Sequence, residues 1–262
     1  SRPAWIACSL PRLRKVTPVA RCVPPASPSR VRPVTWAWVM TRRFGVQVPV
    51  GPQMSSHSYI KNSKNEDIFI NIDGKLFPRN EAKVSVFDSG FLLGDGVWEG
   101  IRLHKNRLIF INEHLDRLFS SAKGISLNIP FSKNEIIREI SKVLEKNNMK
   151  EDVHIRLIIS RGEKITPYQN PNANIGPVTL VIIPEFKKTS PKTYTNGISI
   201  GRVQTIRPSS NILSTHFNTL SKLNCILGSI EANELGYDEG IMNDPYGNIS
   251  TCNSTNLFFI IN

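Results

Sequence analysis

Strand-type and helix-type apolar patterns follow one another in mixed order from residue 67 onward, and this order most limits the possible fold. Alternating residues 67–72 end at Asp73 and Gly74, a dipeptide typical of a two-residue β-hairpin turn. Further strands are predicted at residues 84–87, 108–111, 153–159, 178–183 and 197–203. The sequence therefore predicts an α+β fold in two units that divide near residues 150–185.

Two helices are predicted between these strands. Ser132 and Glu135 form a capping box at the start of the clearest helix in the chain. Asn112 is the predicted N-cap of an earlier helix, whose apolar stripe extends to Gly124. Both helices carry apolar residues at helical spacing.

The first 53 residues differ in composition from the remainder. They hold nine Arg and Lys residues, no Asp or Glu, and nine of the eighteen prolines. Without these nine charges the net charge of +12 falls to +3 for residues 54–262. An Arg-rich, acid-poor prefix is typical of a mitochondrial transit peptide, but nine prolines oppose the amphipathic helix that such a peptide needs. We interpret the prefix as coil and as translation upstream of a natural start at Met54.

Composition also bears on partners and compartment. The modest charge after residue 53 gives little support for nucleic-acid binding, and no apolar run is long enough to span a membrane. Cys8, Cys22, Cys225 and Cys252 lack the spacing of a metal site or a disulfide framework. Without a convincing targeting segment, the sequence predicts a cytoplasmic protein with no metal.

The stretch from residue 215 to residue 259 combines a helix pattern with many polar side chains. Asn218 is the predicted N-cap of the helix and Gly236 the predicted C′ residue. The hydroxyl and amide groups near its end indicate either a polar ligand or ordinary turns. The pattern predicts a helix from residue 219, a strand at 239–243, a turn at 244–247, a hydroxyl-rich segment at 250–256 and a strand at 257–261.

Several motifs resemble those of the class IV pyridoxal-phosphate aminotransferases. The match covers most of residues 67–261, in order and nearly without gaps. That family includes branched-chain and D-amino-acid aminotransferases and aminodeoxychorismate lyase. The motifs are Asp73-Gly74, Val84-Ser-Val-Phe-Asp88, Gly94-Asp-Gly-Val-Trp-Glu-Gly-Ile-Arg102, Glu113-His-Leu-Asp-Arg-Leu118, Arg156-Leu-Ile-Ile-Ser-Arg-Gly162, Glu231-Ala232 and Asn256-Leu-Phe258.

The resemblance implies fold type IV, with a small N-terminal α/β domain and a larger C-terminal pseudo-barrel domain. The family's active site lies between the two domains, usually in a homodimer. On this interpretation residues 1–66 are a disordered prefix and polar tail, residues 67–180 form the small domain, and residues 181–262 form part of the C-terminal domain. In the family more strands follow the Asn-x-Phe segment, so we interpret the chain as a C-terminally truncated fragment.

The resemblance also implies a cofactor, pyridoxal 5′-phosphate, and residues that bind it. Arg117 matches the family's phosphate-binding arginine, although its place off the apolar stripe is equally typical of a solvated arginine. Trp98, Glu99 and Arg102 match the substrate side. The alternative for Trp98 and Glu99 is a packed strand residue beside a surface acid.

Two residues depart from the family at the centre of its mechanism. Asn218 stands where the family has its Schiff-base lysine, and Lys222 follows about 6 Å further along a helix axis. Lys222 is therefore the candidate catalytic lysine, with a solvated helix flank as the alternative. Thr251 stands where the family has a glutamate against the pyridine nitrogen, while Asn253 and Ser254 remain available to position a cofactor.

Two classes of function follow. The first is transamination between an amino acid, branched-chain-like or D, and a 2-oxo acid, or a lyase reaction with the same cofactor. The second is a catalytically impaired relative that serves as a binding or dimerisation module. The first predicts that the amine of Lys222 lies in one interdomain cleft with Arg117 and Thr251.

Overall fold

The computed structural model describes residues 62–188, 190–212 and 214–260. The predictions of a coil prefix and of a natural start at Met54 lie outside the described residues. Within them, the mixed order of helices and strands confirms the predicted α+β class.

A six-stranded antiparallel sheet forms the larger part of the described structure, in the order β2-β1-β6-β5-β3-β4. The β1–β2 hairpin closes through Asp73 and Gly74, whose φ values of 51° and 80° fit the tight turn predicted from this dipeptide. The strands are β1 (Phe69–Ile72), β2 (Lys75–Pro78), β3 (Gly96–His104), β4 (Arg107–Leu108), β5 (Val153–Ser160) and β6 (Thr179–Phe186).

Three helices accompany this sheet, and two of them cover one face. Helix α1 (Ser89–Leu93) is short, whereas α2 (Ile111–Gly124) and α3 (Lys133–Lys146) are longer and amphipathic. The Ser132 capping box at α3 is present as predicted. Alternate residues of β3, β5 and β6 point at α2 and α3. The buried core includes Val97, Ile101, Leu103, Leu115, Leu118, Ile136, Ile140, Val143, Val153, Ile155, Leu157, Ile159, Leu180 and Ile182.

A second, three-stranded sheet has the order β7-β8-β9. Strand β7 runs parallel to β8, and the chain between them contains helix α5, whereas β9 pairs antiparallel to β8. The core of this part is small and is formed by Val203, Ala232 and Met242, with Tyr237 against them. The elements are α4 (Pro191–Asn196), β7 (Ile200–Arg202), α5 (Leu223–Glu234), β8 (Glu239–Asn243) and β9 (Ile249–Cys252).

Some predicted element ends differ from the structure. The earlier helix begins at Ile111 with Phe110 before it, so Asn112 is not its N-cap. The predicted strand at 84–87 is wrong, since these residues form a loop and turn with exposed apolar side chains. Residues 257–260 are also irregular. Short apolar runs predict strands only where a partner strand is available, and the described residues supply none here.

Two further differences concern the stretch that carries Lys222. Helix α5 begins at Leu223, not at residue 219, and Asn218 does not cap it. Gly236, with φ of 77°, follows the helix end as predicted. The predicted domain boundary at residue 180 falls inside β6, so the first sheet extends to Phe186, and the division into domains stays a prediction.

Candidate active site

Strand β3 separates its predicted site residues onto two faces, because successive side chains of a strand point in opposite directions. Glu99 is fully buried beneath α2, whereas Trp98 points to the opposite face and is half-buried. Trp98 and Glu99 therefore do not lie side by side, and their place on the substrate side stays a prediction. Glu99 contacts Arg117 and His114, whereas Trp98 contacts Arg156 and Lys222.

Glu99 is held by two residues of helix α2. Arg117 donates from Nε to Oε1 at 2.7 Å and from Nη2 to Oε2 at 2.6 Å, while His114 Nδ1 lies 2.7 Å from Oε2. The Glu99 side chain is 0% exposed and that of Arg117 is 54% exposed. The hydrogen bonds to Glu99 raise the pKa of Arg117, and partial burial opposes this effect. Arg117 is thus fixed at one edge and open to solvent at the other.

The segment before α5 lies along the first half of β3 as an added edge. Val97 and Thr219 form an antiparallel bridge, and Leu220 N donates to Gly96 O at 2.9 Å. Trp98 N donates to Asn218 O at 3.0 Å, and the Trp98 indole Nε1 donates to Thr219 O at 3.1 Å. This pairing holds residues 218–220 extended, which explains why the helix starts later than its apolar period predicts.

Hydrogen bonds hold both the backbone and the side chain of Asn218. Its backbone N–H donates to Ser121 Oγ at 3.0 Å, and its side-chain Nδ2 donates to Trp98 O at 2.7 Å. The remaining oxygen, Oδ1, accepts a hydrogen bond from Lys222 Nζ at 3.0 Å. The side chain of Asn218 therefore directs the amine of Lys222 toward itself.

Lys222 is half-buried among other cations. Its amine lies 5.4 Å from the centroid of the Trp98 ring, and the Arg156 guanidinium lies 3.8 Å from the same centroid. Burial lowers the pKa of Lys222; Cys225 opposes this, while Arg207, Arg117 and Arg156 lower it further. Arg117 and Lys222 are close enough to interact electrostatically, which increases the neutral, nucleophilic fraction of the amine.

The other predicted cofactor residues make local contacts at the end of β9. Thr251 Oγ1 donates to Thr255 O at 3.2 Å, and Asn253 Oδ1 accepts from Gly240 N at 2.6 Å. Ser254 Oγ donates to Glu239 Oε1 at 2.8 Å. These bonds shape the chain after β9. Placing Thr251 in one cleft with Lys222 stays a prediction.

The cluster around Lys222 consists of Trp98, Arg117, Arg156, Arg207, Asn218 and Lys222. Arg102 lies apart from it. It is four residues from Trp98 on the same strand, which corresponds to about 13 Å along β3. Its Nη2 donates to Asp152 Oδ1 at 3.1 Å and its Nη1 donates to Lys187 O. The side chain of Arg102 is therefore held next to the start of β5, and the structure does not bring it to Trp98.

Two arginines beside Lys222 were missed by the sequence reasoning. Arg156 alternates with the inward apolar residues of β5 and faces Gly100 across the ladder, a signal that could have placed it beside Trp98. Burial lowers its pKa. Arg207 donates from Nη1 to Cys225 Sγ at 2.9 Å and lies in irregular chain, where periodicity gives no signal.

The described part of the chain contains neither a cluster of metal ligands nor a membrane-spanning helix. No group of three or more His, Cys, Asp or Glu side chains there is arranged to hold a metal ion. Its helices are also too short or too polar to cross a bilayer. The cluster around Lys222 is the candidate active site.

The family model for amino-transferase class IV matches residues 96–262, which include all of this cluster. The chain belongs to the class IV aminotransferase family. Branched-chain-amino-acid aminotransferase-like protein 2 of Arabidopsis thaliana is 38% identical over 199 residues, covering 75% of this chain and 35% of that protein. The putative branched-chain-amino-acid aminotransferase of Methanocaldococcus jannaschii is 34% identical over 193 residues, covering 74% of this chain and 65% of that protein.

Solved structures share the fold of this class IV aminotransferase. One is the branched-chain aminotransferase of the thermophilic archaeon Thermoproteus uzoniensis with norvaline, with 26% identity and a TM-score of 0.63. The match covers 71% of this chain and 63% of that chain. This class IV chain thus spans between about a third and two thirds of the length of these similar proteins.

The residues of the cluster fit a pyridoxal-phosphate cofactor in their chemistry. Attachment of the cofactor aldehyde needs an amine that is partly neutral, and Lys222 is a half-buried amine with a lowered pKa. A phosphate and a substrate carboxylate need cations, and Arg117, Arg156 and Arg207 supply them. At the place of the family's glutamate, Thr251 offers a hydroxyl.

Proposed function

We propose that this class IV aminotransferase uses pyridoxal 5′-phosphate, attached at Lys222, to exchange an amino group between an amino acid and a 2-oxo acid. The observation that carries the proposal is the hydrogen bond from Lys222 Nζ to Asn218 Oδ1. It directs the only amine of this cluster in the described residues toward the place of the family lysine. A freely solvated flank would leave that amine without such a partner and without a lowered pKa.

The cofactor, when bound, would withdraw electrons from the amino acid's α-carbon, so that the α-proton can leave. Lys222 Nζ is the group in the cluster that can accept this proton and return it. Trp98 borders the amine with an apolar ring, which limits its access to water. Arg117 and Arg156 would bind the anionic groups of cofactor and substrate, because guanidinium groups pair well with phosphate and carboxylate.

The names of the two similar proteins favour a branched-chain amino acid as substrate. A D-amino acid and a lyase reaction remain the alternatives, since the same cofactor chemistry serves all three. The homodimer and the cytoplasmic location are parts of the same proposal. Arg102 stays a proposed substrate residue only if the substrate extends along β3 toward Asp152.

Reductive trapping tests the proposal. The full chain is incubated with pyridoxal 5′-phosphate, reduced with borohydride and digested, and the modified lysine is identified by mass spectrometry. We expect the label on Lys222, its loss in Lys222→Arg, and its retention in Lys146→Arg. Lys146 is a matched control, because its amine also lies near an aromatic ring, 4.4 Å from the centroid of Phe69, but on helix α3.

A parent chain labelled equally at surface lysines, with no preference for Lys222, would contradict the proposal. That result would favour the second candidate function, a non-catalytic binding or dimerisation module. The hydroxyl of Thr251 supports this second candidate, because a hydroxyl does not keep a pyridine nitrogen protonated as a carboxylate does.

A further inference from the structure

An ion pair outside the cluster holds the turn that precedes β3. Arg161 donates from Nε to Asp95 Oδ2 at 2.7 Å and from Nη2 to Asp95 Oδ1 at 2.9 Å. The two side chains are only 15% and 19% exposed, and Ser89 Oγ donates to the same carboxylate at 3.0 Å. A bidentate ion pair of this kind fixes the relative position of the two side chains more strictly than a single hydrogen bond does.

The same guanidinium also binds the end of helix α2. Arg161 Nη1 donates to Ser126 O at 2.9 Å, and Nη2 donates to Ile125 O at 2.8 Å. A cation is favourable there, because carbonyl groups at a helix C-terminus lack partners and carry partial negative charge. One side chain thus joins the start of β3 to the end of α2.

Strand β3 and helix α2 also contact the segment before Lys222, residues 217–221. On the β3 side, Leu220 N bonds Gly96 O, and a Cβ added at Gly94 would lie 3.3 Å from the Ser221 backbone. On the α2 side, Asn218 N bonds Ser121 Oγ. A Cβ added at Gly124 of α2 would also overlap the ring of Phe217. The segment therefore fits only while the distance between β3 and α2 is kept.

We propose that Arg161 and Asp95 are positioning residues for the amine of Lys222. They fix the spacing between β3 and α2, this spacing fixes Asn218, and Asn218 Oδ1 holds Lys222 Nζ. The inference rests on the proposed role of Lys222. The neighbouring charges that shift the pKa of Lys222 come from one thiol and three other arginines, so the ion pair acts through geometry.

The test measures the reactivity of Lys222 as a function of pH. Short pulses of acetic anhydride modify neutral amines, and mass spectrometry gives the midpoint pH for Lys222 in the full chain. In Arg161→Gln the segment is expected to loosen and the amine to become hydrated, so the midpoint should shift upward toward the ordinary lysine value. Asp95→Asn should shift it in the same direction. It keeps the side-chain shape and serves as the test if the Arg161 variant does not fold.

Arg79→Gln is the matched control. Arg79 pairs with Glu185 at 3.4 Å and also donates to a backbone carbonyl, but it lies on the far side of the same sheet. In Arg79→Gln the midpoint pH for acetylation of Lys222 should equal that of the parent. Amide hydrogen exchange gives a second measurement, since the Leu220 amide should exchange faster in the Arg161 and Asp95 variants and at the parent rate in the control.

The positioning role is overturned if folded Arg161→Gln and Asp95→Asn retain both the parent midpoint and the parent exchange rate at Leu220. A failure of the proposed function shows itself differently. In that case the parent chain is not trapped by pyridoxal 5′-phosphate at Lys222, whatever the effect of the ion pair on Leu220.

Discussion

Removal of Arg117 should destabilise the protein more than neutralisation of Glu99, although the two residues form one ion pair. Glu99 is 0% exposed, so Arg117→Ala leaves a carboxylate in the core whose remaining charged partner among the described residues is His114. Glu99→Gln instead leaves a guanidinium whose side chain is 54% exposed and can be hydrated. The order of the two effects follows from burial alone.

The sizes follow from typical costs of unpaired groups. An uncompensated buried charge costs about 3–5 kcal/mol, and Arg117→Ala should cost about 3 kcal/mol because His114 remains. Glu99→Gln should cost about 1–2 kcal/mol, the usual range for an impaired buried hydrogen bond. The double variant should lose less than the sum, because removing the arginine no longer strands a charge.

Urea unfolding followed by circular dichroism gives each free energy of unfolding, provided the transition is two-state. The partly exposed pair Arg102–Asp152 is the matched control, with side chains 35% and 36% exposed. Its double-mutant coupling should not exceed about 1 kcal/mol. Equal costs for Arg117→Ala and Glu99→Gln, or strict additivity in the double variant, would refute the reasoning. Arg117 would then be a free surface cation.

Three further results are expected. Burial lowers the pKa of Lys222 in the folded protein. At pH values between this lowered pKa and the ordinary lysine pKa, the unfolded chain therefore binds more protons at Lys222 than the folded one. Over that pH range the free energy of unfolding of the parent, measured in urea titrations relative to Lys222→Met, should rise with pH. Gly162→Ala should cost about 2–5 kcal/mol, because its φ is +87° and a Cβ would overlap Pro177 O, whereas Gly197→Ala, with open space, should cost about 1–2 kcal/mol in thermal unfolding. Ser132→Ala should remove the α3 capping box and cost about 1 kcal/mol in the same assay.

Local signals in the sequence predicted local structure well. The turn at Asp73 and Gly74 and the cap at Ser132 depend on residues within a few positions of each other, and the structure contains both. Strands β5 and β6 were also predicted within a few residues, because both are apolar runs at the centre of the sheet. Where the nearest few residues decide the conformation, reasoning from sequence is sufficient.

Contacts between distant residues decided the remainder. The period of apolar residues continues through Thr219 and Leu220, yet these residues pair with β3, some 120 positions earlier. No local pattern announces that pairing. Arg207 is similar, since it reaches Cys225 from an irregular segment. The resemblance to the family placed Lys222 and Arg117 near one another, whereas periodicity alone assigned both to solvated surfaces.

The amine of Lys222 reaches Asn218 by a different route from the one expected. A helix starting at residue 219 would have brought its amine back by one helical turn. In the structure Lys222 precedes α5, with φ of −112° and ψ of 12°, and residues 218–220 are bound to β3. The position of the amine therefore depends on the first sheet more than on α5. The amine of Lys222 is held close to Asn218 because Asn218, which is itself held by Trp98 and Ser121, accepts its hydrogen bond.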